Sequence, residues 1–404
     1  MSIQTRRFAI GSGIGIVLVA VIVIAVLFRG GDDDPDTTAV VPSPTPSSAD
    51  DAFIPLTAFQ ARVLGFDVLD EVALPEDNPY SDAKADLGRL LFFDPRLSMN
   101  SAVSCATCHQ PSQGWGDGIP LSFGYSGAVH WRNTPTVINS AFHPKLDWDG
   151  KALRLDLQAQ GAMKGAVAMN MDPVMLEERL RQIPEYVQRF EDVFGPGGPW
   201  FDNASRAIAV FQSTLLSTNV PFDRFMEGDE TALSDSALRG LSLFTTTASC
   251  SACHKGRLFT DQDYHSLGIP EPEEFLNDPV REITFRYQLH ARGVSEEMYK
   301  TATDDPGLFL VTKNDTDFGQ FRTPQLRELG QTAPYMHNGA FATLEDVIDF
   351  YDAGGGESEN LDPLLRPLGL SDQDKADLLA FLLSLTGDPI IIEEPEFPPY
   401  EVIQ

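Results

Sequence analysis

Apolar side chains recur with the spacing of amphipathic helices over most of the chain. The longest such stretches are 174–193, 203–217, 343–352 and 373–385. Alternation of apolar and polar positions, which would indicate half-buried strands, is scarce. The pattern therefore predicts a mainly α fold.

Two shorter helical stretches resemble each other. Residues 86–93 read DLGRLLFF, and residues 237–244 read ALRGLSLF after a candidate N-cap at Ser234. Each stretch leads into a short cysteine motif. We interpret the pair as an internal repeat, in which one small helical unit occurs twice.

The two cysteine motifs read CATCH at 105–109 and CSACH at 250–254. Two thiols at positions i and i+3 lie on one side of a helical turn, where they can add to the two vinyl groups of one porphyrin. The next residue, His109 or His254, can then give its imidazole to the haem iron. The sequence thus predicts two covalent c-type haems, attached through Cys105, Cys108, Cys250 and Cys253.

Two other interpretations of the cysteines stay open at this point. Two Cys-x-x-Cys pairs could form one zinc site, or the four thiols could form disulfides. Neither explains why a histidine directly follows each pair, and the pairs lie far apart in sequence for a compact zinc knuckle. All four cysteines of the chain fall in the two motifs, which favours haem attachment.

The first residues have the features of an export segment. Arg6 and Arg7 precede an uncharged, strongly apolar run at 8–28, and three aspartates follow at 32–34. The run is long enough to cross a bilayer as a helix, with its N-terminal end in the cytoplasm. It is either a cleaved signal peptide or an anchor, and the lack of small residues at a cleavage position favours an anchor. We therefore expect export to the periplasm or to the outer face of the cytoplasmic membrane.

The rest of the sequence divides into haem units and connecting segments. A stretch rich in Asp, Pro, Ser and Thr follows the apolar run and is typical of a disordered tether. After this N-terminal transmembrane helix we expect two cytochrome c-like haem domains. The predicted boundaries are 1–30 for the anchor or signal, 31–52 for the linker, 53–228 and 229–387 for the two haem domains, and 388–404 for an extended tail.

Several longer motifs carry a family resemblance. They are LGRLLFFDPRLS before the first cysteine motif, RNTPTVIN and WDGKALRLDLQAQG after it, and FRTPQLRELGQTAPYMHNGAFATLEDVIDFYDAGG after the second. Over residues 75–387 the chain resembles the bacterial di-haem cytochrome c peroxidases. That family includes the MauG-like enzymes that mature the tryptophan-derived cofactor of methylamine dehydrogenase. The resemblance implies that peroxide reacts at the first haem and that the second passes electrons to it.

The resemblance also implies roles for residues near the first haem. Trp148 matches a tryptophan that lies between the haems and relays electrons, and Gln158 matches a glutamine of the peroxide pocket. Tyr125 stands where many members have a distal histidine, which implies an iron that is open to peroxide. Ala168 replaces the family's acid–base glutamate, so O–O cleavage should be slow unless another group moves the proton.

The sequence offers candidate substitutes for the missing groups. His130 could close the first haem site, although a loop histidine more often contacts solvent or backbone. Asp156 and Asp172 lie near Ala168 in sequence, but surface acids are the commoner interpretation of both. The sequence gives no physical ground for choosing between them.

Other matched positions concern the second haem and a metal ion. Tyr351 matches the sixth ligand of the second haem iron, which is a methionine in the peroxidases and a tyrosine in the maturation enzymes; a phenolate favours ferric iron. Asn133, Thr332 and Pro334 match a calcium site, where one amide and two backbone carbonyl oxygens suit a hard cation. Residues 261–316 are longer than in compact members, and we interpret them as a surface insertion, by default a solvated loop.

Three functions follow as hypotheses. The first is a cytochrome c peroxidase, in which electrons from a small redox protein, a cytochrome c or a cupredoxin, pass from the second haem through Trp148 to hydrogen peroxide at the first. The second is a MauG-like enzyme that oxidises Trp or Tyr of a partner protein through a high-valent di-haem state, as Tyr125 and Tyr351 favour. The third is a non-catalytic electron carrier, as Ala168 favours. A formal net charge of −30 argues against a nucleic-acid partner and suits a basic redox partner.

Overall fold

The computed structural model describes residues 53–272 and 277–401. The apolar run at 8–28 and the linker at 31–52 lie outside the described residues, so the anchor and the tether stay predictions. Within the described ranges, no helix is long and apolar enough to cross a membrane.

Helices make up most of the regular structure, so the prediction of a mainly α fold is confirmed. Two short strands, β1 (Tyr264–His265) and β2 (Phe321–Arg322), pair in an antiparallel ladder. The helices are α1 Ala58–Val63, α2 Asp82–Phe93, α3 Cys105–Cys108, α4 Leu155–Lys164, α5 Pro173–Arg181, α6 Pro184–Phe194, α7 Phe201–Gln212, α8 Pro221–Met226, α9 Asp235–Thr245, α10 Pro279–Ala291, α11 Glu296–Thr301, α12 Phe309–Thr312, α13 Leu344–Asp352 and α14 Asp372–Leu383.

The apolar stretch at 174–193 forms two helices, α5 and α6, rather than one. Pro184 is the first residue of α6. Proline lacks an N–H and its ring clashes with the preceding turn, so a continuous helix cannot run through it, whereas the first helical position tolerates it. The predicted cap of α9 is confirmed, since the Ser234 hydroxyl accepts a hydrogen bond of 3.1 Å from the backbone N–H of Ala237.

The first hydrophobic core forms where α2 crosses α7. Leu91 and Phe92 of α2 are buried together with Phe211 of α7. Gly88 allows the close approach of the two helices, because a Cβ atom there would collide with the carbonyl oxygen of Ala207. The crossing holds the end of α2 against α3, the turn that carries the first cysteine motif.

The second core repeats this arrangement with α9 and α14. Gly240 of α9 lies against the carbonyl oxygen of Asp377, and a Cβ atom would collide with that oxygen and with Phe381. Leu241 and Phe244 fill the core below the crossing. Since α9 leads into the second cysteine motif as α2 leads into the first, equivalent glycines in the two helix pairs support the internal repeat.

Each end of the described chain packs against the core of the other half. Phe66, near the start, is buried in the second core. Ile390 and Phe397, near the end, pack against the first core. Residues 388–401 contain no helix or strand. Both cores belong to one compact unit, and the predicted domain boundaries stay predictions.

The insertion at 261–316 is not a solvated loop, and that interpretation is wrong. Helices α10 and α12 pack against Trp131 of the first half. This third cluster buries Trp131, Phe285, Leu289, Phe309 and Leu310. The signal available in the sequence was the i, i+4 pair of apolar positions on α10, which indicates a helix face that needs a partner.

Candidate active site

A cavity of about 2100 Å³ is walled by residues of both main cores. Both cysteine motifs open onto it. Three residues singled out by resemblance, Trp148, Gln158 and Tyr351, line the same space. The structure therefore brings together residues that lie more than half the described chain apart. The attachment residues in its walls are Cys105, Cys108, His109, Cys250, Cys253 and His254.

The two candidate proximal histidines are held in the same way. His109 Nδ1 donates a hydrogen bond to the carbonyl oxygen of Trp115 at 3.0 Å, and His254 Nδ1 donates one to that of Phe259 at 2.9 Å. A carbonyl can only accept, so the second ring nitrogen, Nε2, is left unprotonated and free to ligate a metal. Burial lowers the pKa of both imidazoles and so favours this neutral form.

The four thiols fit haem attachment better than the alternatives. All four are free, so the described chain contains no disulfide between them. The two pairs also do not meet at one point. In the described ranges, the side chains close enough together to bind a metal ion include a single cysteine, Cys253, with Asp261 and His265. A four-cysteine zinc site and a pair of disulfides are therefore wrong. Two thiols beside a histidine with a free Nε2, twice in one large cavity, fit two c-type haems.

Trp148 lies in the cavity with its indole fixed. Its Nε1 donates a hydrogen bond of 2.9 Å to the carbonyl oxygen of Asn133. The backbone N–H of Asn133 in turn donates to the carbonyl oxygen of His337 at 2.7 Å. The His337 ring lies edge-on to Trp148, with centroids 6.5 Å apart, and stacks on Phe321 at 3.7 Å. Two stacked aromatic rings thus lie beside the predicted relay residue.

A buried charge network fixes the loop that carries Trp148, and sequence reasoning missed it. The Arg132 guanidinium donates to Asp149 at 2.7 Å and, through two nitrogens, to Asp305 at 2.6 and 2.9 Å. Arg292 adds a bond of 3.0 Å to Asp149. Two arginines balance two aspartates, as buried ions require. The only signal in the sequence was a charged residue directly after each of two tryptophans, Arg132 after Trp131 and Asp149 after Trp148. The pairing itself could not be predicted, because the partners are distant along the chain.

The residues matched to the first haem pocket lie partly in the cavity wall. Gln158, Ala168 and His130 line the cavity. Tyr125 is not among the lining residues; its backbone N–H donates to the carbonyl oxygen of Ala168 at 2.7 Å. The neighbouring Gly124 permits this contact, because a Cβ atom there would collide with the carbonyl oxygen of Val167. Burial, with the nearby Lys151, lowers the pKa of His130 to about 4, so His130 is neutral at pH 7.

The two acidic substitutes considered from sequence have other partners. Asp156 accepts two hydrogen bonds of 2.9 Å from Arg154. Asp172 caps α5 by accepting from the backbone N–H of Met175 at 3.0 Å. Neither lines the cavity. A different carboxylate does: Asp147 accepts a hydrogen bond of 3.4 Å from the Gln158 amide.

Tyr351 projects from α13 into the part of the cavity near the second cysteine motif. Burial, together with the neighbouring Cys250 and Cys253, raises the pKa of its phenol. Among the described residues, no hydrogen bond to the hydroxyl is formed. A phenol that faces a haem attachment site without a protein partner suits the sixth-ligand role, which stays a prediction.

The predicted calcium ligands also meet at the cavity wall. Asn133, Thr332 and Pro334 all line it. The Asn133 amide nitrogen donates to the carbonyl oxygens of Ile119 and Pro120 at 3.2 Å each. These bonds leave the amide oxygen for another partner. Calcium binding by the three residues stays a prediction.

Two further polar groups in the cavity wall were missed. His265 lies between two carboxylates, with Nδ1 2.6 Å from Asp362 and Nε2 3.1 Å from Asp261. Hydrogen bonding to Cys253 and to these carboxylates raises the pKa of His265 to about 10. Arg322 is 8% exposed and has no carboxylate partner within the described ranges. A buried guanidinium of this kind suits an anionic group in the cavity, as a haem propionate would be.

The fold and the site together define a c-type cytochrome with two haem positions in one cavity. Comparison with known proteins agrees. A family model described as di-haem cytochrome c peroxidase matches residues 82–231. The cytochrome-c peroxidase IdrP1 of Pseudomonas sp. strain SCT is 48% identical over 333 residues, which cover 82% of this chain and 88% of the relative. The chain belongs to the di-haem cytochrome c peroxidase family, and the resemblance seen in the sequence is confirmed.

More distant relatives extend the match to the maturation branch. The methylamine utilization protein MauG of Methylorubrum extorquens is 36% identical, with 87% of this chain and 91% of the relative covered. The crystal structure of a MauG-like protein associated with microbial copper homeostasis superposes with a TM-score of 0.68 at 31% identity, covering 79% of this chain and 94% of that one. Family membership implies two c-type haems, and the residues described above fit them.

Proposed function

We propose that this chain is an exported di-haem c oxidoreductase that reduces hydrogen peroxide with electrons from a small redox protein. The observation that supports this most is the position of Trp148, which lies in one cavity with both Cys-His motifs. Relatives named cytochrome-c peroxidase, which match this chain over most of their length, support the same activity. When bound, each haem would supply a redox-active iron.

The chain's own residues have separate tasks in this proposal. His109 and His254 hold the two cofactors, and their Nδ1 hydrogen bonds set the ring orientation. Trp148, whose indole is fixed by the carbonyl oxygen of Asn133, would relay electrons between the two positions and so divide a long electron transfer into shorter ones. Gln158 can donate a hydrogen bond to peroxide. The overall change consumes one peroxide, two electrons from the donor and two protons, and it releases two waters.

A second candidate function has its own support. Tyr351 faces the second cysteine motif, and a phenolate ligand disfavours ferrous iron. A second haem of that kind would accept electrons poorly from a donor. Oxidation of Trp or Tyr in a partner protein, as in the maturation branch of the family, would then be the reaction served.

Export fits both functions. Haem c proteins of this family work outside the cytoplasm, and the apolar run at 8–28 would carry the chain there. We propose that this run stays as an anchor and that 31–52 tethers the folded part to the outer face of the membrane. Hydrogen peroxide, a basic redox protein or a protein substrate are the partners expected there.

A steady-state assay tests the peroxidase proposal. The purified, haem-loaded protein is mixed with hydrogen peroxide and a reduced cytochrome c or cupredoxin, and both reactants are followed. We expect two donor molecules to be oxidised for each peroxide consumed. Donor oxidation without peroxide consumption would favour a carrier. Peroxide consumption that needs no donor and modifies an aromatic residue of an added partner would favour the maturation function.

A further inference from the structure

The Asp147 carboxylate lies in the cavity wall near the first haem position. Its Oδ1 accepts a hydrogen bond of 3.4 Å from Gln158, the residue matched to the peroxide pocket. Its Oδ2 is buried and forms no hydrogen bond within the described chain. A buried carboxylate oxygen normally has a hydrogen-bonding partner, so an exception calls for an explanation in terms of function or a missing ligand.

The backbone holds this carboxylate in place. Asp147 has φ of +64°, a left-handed conformation that is uncommon for residues other than glycine. Its carbonyl oxygen accepts hydrogen bonds from the N–H of Gly150 at 3.3 Å and from Arg322 Nε at 3.4 Å. The turn is tied further by the antiparallel bridge between Leu146 and Ala152. Strained conformations of this kind cluster at active sites.

The charged groups around Asp147 suit an acid–base role. Lys151 Nζ lies 3.5 Å from Oδ2, with its own side chain 44% exposed. The Arg322 guanidinium also lies within electrostatic range of the carboxylate. A carboxylate in this position can accept a proton from a bound molecule and return it. The exposed Lys151 also gives the site a polar connection to solvent.

The neighbouring sequence offers no better group. Ala168 cannot transfer a proton, Asp156 is paired with Arg154, and Asp172 caps α5. His130 lines the cavity and has a lowered pKa, so it is a weak base. Asp147 is the carboxylate that lines the cavity beside Gln158 within the described residues.

We propose that Asp147 replaces the missing glutamate as the acid–base group of peroxide cleavage. Its carboxylate takes a proton from one peroxide oxygen and returns it to the other, while the O–O bond breaks and the donor supplies two electrons. The oxygen that departs then leaves as water instead of hydroxide, and the second water forms with two protons from solvent. This inference rests on the proposed function, because it assigns a residue to that reaction.

Cyanide binding tests the role without relying on turnover. Hydrogen cyanide must lose a proton to bind a ferric haem as the anion, so a nearby base speeds its association. We expect Asp147→Asn to slow cyanide association and to slow the reaction with peroxide by about 10²–10⁴-fold. Asp172→Asn is the matched control, because asparagine also caps helices and the residue lies outside the cavity. Haem content and melting temperature are measured for each variant.

The outcomes separate this inference from the proposed function. Unchanged cyanide and peroxide rates in Asp147→Asn would overturn the role of Asp147, even if the natural protein is an active peroxidase. A natural protein that binds no cyanide would also overturn it, because the first site would then have no open position. Slowed cyanide binding in a protein without peroxide turnover would keep the base and reject the peroxidase. If Asp147→Asn loses haem, Asp147→Glu, which keeps a carboxylate, is compared with Asp147→Ser, which removes it. We expect fast cyanide association in the first and slow association in the second, and equal rates in the two would overturn the role.

Discussion

At the scale of single residues, the second haem position has two unlike faces. His254 is a neutral imidazole fixed by the carbonyl oxygen of Phe259. Tyr351, which also lines the cavity, has a phenol with a raised pKa. Whether the phenol loses its proton therefore depends on a strong cationic partner, and a ferric iron is such a partner. We therefore expect the redox chemistry of this position to depend on whether Tyr351 binds the iron.

Replacement of Tyr351 by methionine tests whether that bond exists. We expect Tyr351→Met to raise the reduction potential of the second haem, because a thioether favours ferrous iron more than a phenolate does. The shift is measured by spectroscopic redox titration. Tyr335→Phe is the control, since Tyr335 lines the same cavity but donates its hydroxyl hydrogen to the carbonyl oxygen of Leu329 at 2.8 Å. Equal potentials in Tyr351→Met and the natural protein would return Tyr351 to the packing residues.

Residues whose chemistry is local in sequence could be predicted, and those that depend on distant partners could not. The roles of His109 and His254 follow from cysteines one turn away. The family resemblance matches Tyr125 to a pocket position, yet Tyr125 is not in the cavity wall, because its backbone contact to Ala168 sets the path of that loop. Asp147 gave no signal, since it lies in a turn and its partner Gln158 lies on the following helix, α4.

At the scale of secondary-structure elements, the two glycine crossings hold the haem motifs. In each, a helix that precedes a cysteine motif packs its glycine on the backbone of a later helix. Without a side chain, the two helix axes approach closely, and the following turn is fixed relative to the core. The same device occurs twice, once in each half.

Alanine at these crossings should destabilise the protein. We expect Gly88→Ala and Gly240→Ala each to lower the free energy of unfolding by about 1–3 kcal/mol or more, because the added methyl group collides with backbone that cannot move freely. Gly161→Ala in α4 is the control; outside the backbone of its own helix, no described protein atom lies within 4 Å of the place that its Cβ atom would take, and alanine is the better helix former. Thermal unfolding of the three variants decides, and equal stability of all of them would contradict the crossing.

Helices were predictable where one face is apolar. They were less predictable where a proline or long-range packing sets the helix boundaries. The stretches near α7, α13 and α14 agree with the structure. Pro184 divides the apolar stretch at 174–193 into two helices, a boundary that the spacing of apolar residues does not indicate. The packing of the insertion could not be predicted from its own residues, because it depends on Trp131, which lies in the first half of the chain and is part of the third cluster.

At the scale of the whole molecule, the cavity buries several neutral histidines. Burial lowers the pKa of His130 to about 4, that of His143 to about 3 and that of His337 to about 4. In the unfolded chain each imidazole takes up a proton near pH 6.5. Between these values the unfolded state binds more protons than the folded state, so stability falls as the pH is lowered.

We therefore expect the free energy of unfolding to decrease from about pH 6.5 down to about pH 4, by roughly 1.4 kcal/mol for each tenfold difference in proton affinity. His143→Gln should make this decrease shallower, since the glutamine needs no desolvated cation. His290→Gln, on an exposed position of α10, should leave the slope unchanged. Denaturant unfolding at a series of pH values measures this pH dependence. The same slope in the natural protein and in both variants would refute the role of the buried histidines.

Both cysteine motifs open onto one cavity, and we propose that Trp148 relays electrons between the two haem positions, so its removal is the most direct test of the account. Donor oxidation by peroxide is followed by stopped flow in the natural protein, in Trp148→Phe and in Trp131→Phe, with haem content matched. Trp131 is the control, because it is also buried in the cavity wall but is covered by the Arg132 guanidinium at 4.0 Å. We predict that Trp148→Phe alone becomes slow while both haems stay bound. Equal rates in all three proteins would contradict the account.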